Sequence, residues 1–106
     1  MSQGRPKQGG RVELLLEARD ERIVSYRMSL STPAGEWSGR AGVELAEGTV
    51  QVEPEAGEGG ASPPRWLVDF VRQLLRTTWS ARRAEGASPW PERIARWRDE
   101  RAPPGP

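Results

Sequence analysis

The chain contains no cysteine and no histidine, and these two absences exclude much chemistry. Without cysteine there is no disulfide framework and no thiolate nucleophile. Without histidine, the commonest general base and metal ligand is missing. We therefore expect a protein that is not an enzyme and that holds neither a metal nor a cofactor.

Long apolar runs are also missing. No stretch approaches the roughly 18 continuous apolar residues of a membrane span. Residues 1–10 lack the apolar run of a secretory signal. These absences predict a cytoplasmic protein that does not enter a membrane. Only 35% of the 106 residues are hydrophobic, so we expect a small core.

Charge is distributed unevenly along the chain, although the net charge is only +1. Residues 1–64 hold seven basic and ten acidic groups, whereas residues 65–106 hold nine and five. This polarity predicts either that the basic half attracts an acidic partner or that a basic helix lies on an acidic sheet within the fold.

Alternating apolar and polar residues in the first half predict β-strands. The clearest alternation runs from Val24 through Tyr26 and Met28 to Leu30. Turn-forming residues separate this segment from its neighbours, which predicts an antiparallel meander. The predicted strands are at about 11–18, 23–31, 36–45 and 49–53.

The second half predicts helices. After an acidic linker at 54–61, the string Ser62-Pro63-Pro64 is typical of a helix start, and apolar residues then recur at helical spacing, which predicts a long amphipathic helix at about 63–84. A second start signal precedes Trp90, Ile94 and Trp97, whose spacing predicts a short helix at about 89–101.

These elements predict the α+β class, with a four-stranded antiparallel β-meander packed against one long amphipathic helix plus a short C-terminal helix. We expect one domain over residues 11–101. The Pro/Gly-rich ends at 1–10 and 102–106 are predicted to be disordered tails.

Tryptophan and arginine are concentrated in the predicted helical half. Both residue types are enriched at interfaces, and aromatic rings equally fill cores, so a functional and a structural interpretation stay open. Our first hypothesis is a non-catalytic protein–protein interaction module whose partner is another protein or a second copy of the chain. Its predicted apolar anchors are Trp79, Trp90, Ile94 and Trp97, and its predicted cationic residues are Arg72, Arg76 and Arg83.

A second hypothesis is single-stranded nucleic-acid binding. The string Gly-Glu-Trp-Ser-Gly-Arg-Ala-Gly-Val-Glu-Leu at 35–45, which follows the strand at 24–27, resembles a segment of the positive-cofactor/Whirly type of single-stranded-DNA-binding coactivator. The resemblance implies a dimer in which Arg27 and Arg40 contact phosphates. The chain departs from that pattern at Ala41, where the family has lysine, and in an acidic insertion at 46–61.

The polar face of the predicted sheet favours the first hypothesis. By strand parity it carries more carboxylates than arginines and no aromatic ring, whereas sheets that bind single strands offer positive charge and stacking platforms. A small enzyme using paired carboxylates is the third and least favoured interpretation.

Overall fold

The computed structural model describes residues 9–55, 57, 60–84 and 90–98. It confirms an α+β fold with an antiparallel sheet and a long helix, but the sheet has five strands rather than the predicted four. The sheet order is β4-β3-β2-β1-β5. The elements are β1 (Gly10–Arg19), β2 (Ile23–Thr32), β3 (Gly35–Glu44), β4 (Thr49–Pro54), α1 (Arg65–Ala84) and β5 (Arg93–Arg98).

The four predicted strands form a meander because each has one apolar face that can be buried. In β2, Val24, Tyr26, Met28 and Leu30 are all buried, as their alternation predicts. β1 begins at Gly10, inside the range predicted as a tail. Residues 1–8 and 102–106 of the predicted tails lie outside the described residues.

The amphipathic helix α1 covers one face of the sheet. Leu67, Val71 and Leu75, spaced by four residues, are fully buried against it. The first helical hydrogen bond joins the Val68 N–H to the Pro64 carbonyl oxygen at 3.2 Å. The two prolines therefore precede the helix, so their lack of an N–H group does not remove a helical hydrogen bond.

The structure of the C-terminal segment differs from the one predicted from the sequence. Residues 93–98 form a fifth strand, and no helix occurs within the described residues 90–98, although a short helix was predicted at 89–101. The backbone of β1 explains the difference, because burying an apolar strand such as β1 requires hydrogen-bond partners on both of its edges. β5 supplies them by pairing antiparallel, with Leu14 opposite Ile94.

The helix does not cover the sheet evenly. It packs mainly on β4 and more lightly on β1 and β3, and makes fewer contacts with β5. Among the described residues, no strand lies outside β5, which makes β5 one edge of the sheet and β4 the other. A groove therefore remains between α1 and β5.

Candidate binding groove between α1 and β5

The residues predicted as partner anchors are dispersed by the fold. Trp79 is half-buried, and its indole N–H donates to the Leu45 carbonyl oxygen at 2.9 Å. Its ring also lies against Gly48, in the turn between β3 and β4. Arg83 lies over the ring, 5.2 Å from its centre. Trp79 thus holds the end of α1 against a turn.

Trp90 and Ile94 belong to the core. Ile94 is only 5% exposed, and the half-buried Trp90 ring lies 6.4 Å from that of Tyr26. The Tyr26 hydroxyl donates to the Pro91 carbonyl oxygen at 2.6 Å, which fixes the chain at the start of β5. Burial raises the pKa of Tyr26 to about 12, although the positive charge of Arg82 opposes the shift.

Trp97 is the predicted anchor with a largely exposed side chain, at 52%. It lies opposite Arg11 in the β1–β5 pairing and therefore faces the side of the sheet away from α1. We call this side the open face. Leu15 and Ile23, also on the open face, are 41% and 39% exposed. Strand parity predicted no aromatic ring on this face, and the placement of Trp97 by β5 corrects that expectation.

The three predicted cationic residues do not form one patch with these anchors. Arg72 donates to the Val50 carbonyl oxygen of β4 at 3.1 Å. Arg76 is exposed on the outer side of α1, and Arg83 lies over Trp79.

The groove between α1 and β5 has a cavity volume of about 660 Å³. Its walls combine apolar side chains of α1, chiefly Phe70 and Leu74, with polar groups. No aspartate or glutamate among the described residues lines it. Four arginines do: Arg82, Arg93, Arg96 and Arg98. We call this feature the α1/β5 groove.

Arg98 connects the two walls of the α1/β5 groove. Its guanidinium lies 5.3 Å from the centre of the Phe70 ring and donates to the Gln73 side-chain oxygen at 3.4 Å. A guanidinium over an aromatic face gains cation–π attraction and keeps donors in its plane for an anion. The sequence analysis did not identify Arg96 and Arg98 as candidate binding residues. In the predicted helix at 89–101, Arg96 would not share a face with Ile94 and Arg98, as it does in a strand.

The backbone of β5 forms the edge of the sheet that borders the groove. The Leu16 N–H donates to the Glu92 carbonyl oxygen at 2.8 Å. In an antiparallel pair only every second residue hydrogen-bonds to the partner strand, so this bond fixes which residues of β5 bond to β1. The N–H and C=O groups of Ile94 therefore turn toward β1, whereas those of Arg93 and Ala95 turn away from it.

Each edge strand receives a hydrogen bond from an arginine. On β5, the Arg96 guanidinium donates to the Ala95 carbonyl oxygen at 2.8 Å. On β4, Arg72 donates to Val50 in the same way. Carbonyl groups at a sheet edge otherwise attract further strands, so these side chains shield both edges.

The open face holds the residues implied by the nucleic-acid resemblance. Arg27 and Arg40 lie directly opposite each other across β2 and β3. Glu17 lies between them, with N–O distances of 3.4 Å to Arg27 and 3.2 Å to Arg40. Arg93 pairs with Glu13 at 2.7 Å. Carboxylates thus already partner these arginines, which reduces their attraction for phosphate.

Other parts of the described chain offer little chemistry. The pKa of Asp20 is lowered, first by the backbone N–H of Arg22 and then by that of Ile23, which is typical of a turn. The residues described include no group of three or more acidic side chains placed to hold a metal ion. No helix among them has the length and apolarity to cross a membrane.

Comparisons of the chain with protein-family models, with curated proteins and with solved structures find no match.

Proposed function

We propose that this chain is a non-catalytic protein-interaction module, and that the α1/β5 groove binds an acidic segment of another protein. The observation that carries the proposal is the composition of the groove. Arg82, Arg96 and Arg98 and an apolar wall line it, with no carboxylate among its described residues, whereas Arg93 at its border is paired with Glu13 on the open face. The class of function is the one predicted from the sequence. The proposed contact surface is the α1/β5 groove and not the set of predicted anchors.

The electrostatics support an acidic partner. On the open face, carboxylates lie within 4 Å of arginines and offset their charge. In the groove, Arg98 instead meets a neutral glutamine and an aromatic ring. A carboxylate placed there accepts charge-assisted hydrogen bonds, worth roughly 1.5 to 3 kcal/mol each where water is excluded.

The same charges disfavour a homodimer formed by pairing two β5 strands. Such a dimer would bring the arginines of one copy beside those of the other, and like charges across a sheet are destabilising. A different protein is therefore the favoured partner over a second copy.

A binding experiment tests the proposal with a fluorescein-labelled heptapeptide of alternating glutamate and valine, followed by anisotropy. We expect binding that weakens by about tenfold in Arg98→Glu, since the loss of one charge-assisted contact has that effect. Arg76→Glu is the matched control, because it makes the same charge change on the exposed outer side of α1.

The two variants also separate the groove from the surface first predicted. If Arg76→Glu weakens binding as much as Arg98→Glu, then overall charge or the outer side of α1 binds the peptide, and the groove assignment is wrong. A lysine-for-glutamate version of the peptide should not bind the unaltered protein.

Single-stranded nucleic acid is the second candidate, and the position of Trp97 favours it. β5 places this exposed ring on the open face, where a base could stack on it. A labelled oligothymidylate tests the alternative. Binding that falls log-linearly with salt, and that weakens in Arg27→Ala, Arg40→Ala and Trp97→Ala but not in Arg98→Glu, would replace the first proposal.

A further inference from the structure

We propose that the segment bound in the α1/β5 groove is extended and adds to β5 as a sixth strand, with Arg96 releasing the edge when the segment arrives. This inference rests on the proposed function, since it specifies how the acidic segment is held. Strand addition is a known mode of peptide recognition in domains that place a helix beside an exposed sheet edge.

The backbone of β5 provides the first argument. The N–H and C=O groups of Arg93 and Ala95 turn away from β1, toward the edge of the sheet that borders the groove. Pairs of groups that recur at every second residue match the spacing of a β-ladder. A helical segment uses its backbone groups internally and would leave these groups of β5 without a partner.

The walls of the groove provide the second argument. Successive side chains of an added strand point to opposite sides. One set would point into the groove, where Phe70 and Leu74 of α1 supply apolar surface and Arg98 of β5 supplies charge. The other set would lie beside Ala95 on the open face. A segment that alternates acidic and apolar residues would place its carboxylates in the groove near Arg98 and its apolar side chains beside Ala95.

Arg96 provides the third argument. Its guanidinium already donates to the Ala95 carbonyl oxygen, as the N–H of an added strand would. The side chain is exposed, so it can turn away without leaving the core. Once displaced, it lies beside the added strand, where a carboxylate of the ligand can accept its hydrogen bonds. Arg96 thus shields the edge in the empty protein and contacts the ligand in the complex.

The alternating Glu-Val heptapeptide tests the inference when its amides are methylated one at a time. Methylation removes an N–H donor and blocks strand pairing at that residue. We expect losses of about tenfold or more at every second amide and little change at the amides between, because only alternate groups of an added strand face β5. Similar losses at every position would overturn strand addition.

Hydrogen exchange at single amides of the full chain gives an independent measurement. The Ala95 N–H turns outward, so its exchange should slow by about tenfold or more on peptide binding. The Ile94 N–H already turns toward β1 and is the internal control. Ala95→Pro should abolish peptide binding and leave the fold intact, since proline is tolerated at an edge strand where the N–H faces outward.

The outcomes separate the two proposals. Peptide binding that depends on Arg98, without alternation in the methylation series and without protection of Ala95, overturns strand addition and leaves the groove as a binding site. Absence of any peptide binding overturns both.

Discussion

The hydroxyl of Tyr26 makes stability depend on pH in a way that one substitution can isolate. Tyr26 is the chain's single tyrosine, and there is one lysine and no cysteine. Few groups other than Tyr26 therefore titrate between neutral pH and pH 12. Its side chain is fully buried, and its hydroxyl donates to the Pro91 carbonyl oxygen.

The sign of the effect follows from the pKa of Tyr26, which burial raises from 10.0 to about 12. The folded protein holds the proton more tightly than the unfolded chain, so the stabilisation is complete below pH 10 and is lost as the pH rises to 12. A pKa difference of this size corresponds to a loss of about 2 to 3 kcal/mol in the free energy of unfolding.

Tyr26→Phe should remove most of this pH dependence. At neutral pH the variant loses one buried hydrogen bond, which costs about 1 kcal/mol. Between pH 10 and 12 the original protein loses stability and the variant does not, so the order of the two stabilities reverses. Urea unfolding at a series of pH values measures this, and tyrosinate absorbance reports the titration of the native protein. A tyrosine that titrates near pH 10 in the folded state, or two parallel stability curves, would refute the reasoning.

Three further predictions concern packing. Gly39→Ala should destabilise the protein by about 1 to 3 kcal/mol, because the added Cβ collides with the Glu53 carbonyl oxygen, whereas Gly42→Ala should be near neutral because its Cβ meets nothing closer than 3.5 Å. Gly48→Ala should cost more than about 1 kcal/mol, since residue 48 has a φ of 74°. Ile94→Ala should cost about 2 to 5 kcal/mol by opening a core cavity, and Trp97→Ala less than about 1 kcal/mol. Thermal and urea unfolding measure the stability of each variant. Equal losses of stability in Ile94→Ala and Trp97→Ala would contradict the placement of β5.

The first half of the fold was predictable because its signals are local. The alternation in β2 assigned Tyr26 to the core side and Arg27 to the open face, and both lie there. The apolar stripe of the long helix likewise identified Leu67, Val71 and Leu75 as core residues. In each case one periodicity fitted the segment and the other did not.

The segment after the helix was not predictable in the same way. The spacing of Trp90, Ile94 and Trp97 fits a helix, yet in the strand Ile94 enters the core and Trp97 lies on the opposite face. A segment of six residues has too little intrinsic preference to choose. The choice depends on β1, because β5 provides hydrogen-bond partners along the second edge of β1 by pairing with it as a strand.

The amino-acid sequence by itself determined the α+β class, the meander and the buried side of α1, since alternation and helical spacing are properties of neighbouring residues. Only the tertiary structure decided that β5 pairs with β1, and with it the location of Arg96, Trp97 and Arg98. The α1/β5 groove arises from that long-range pairing, because its two walls come from elements that no local pattern brings together.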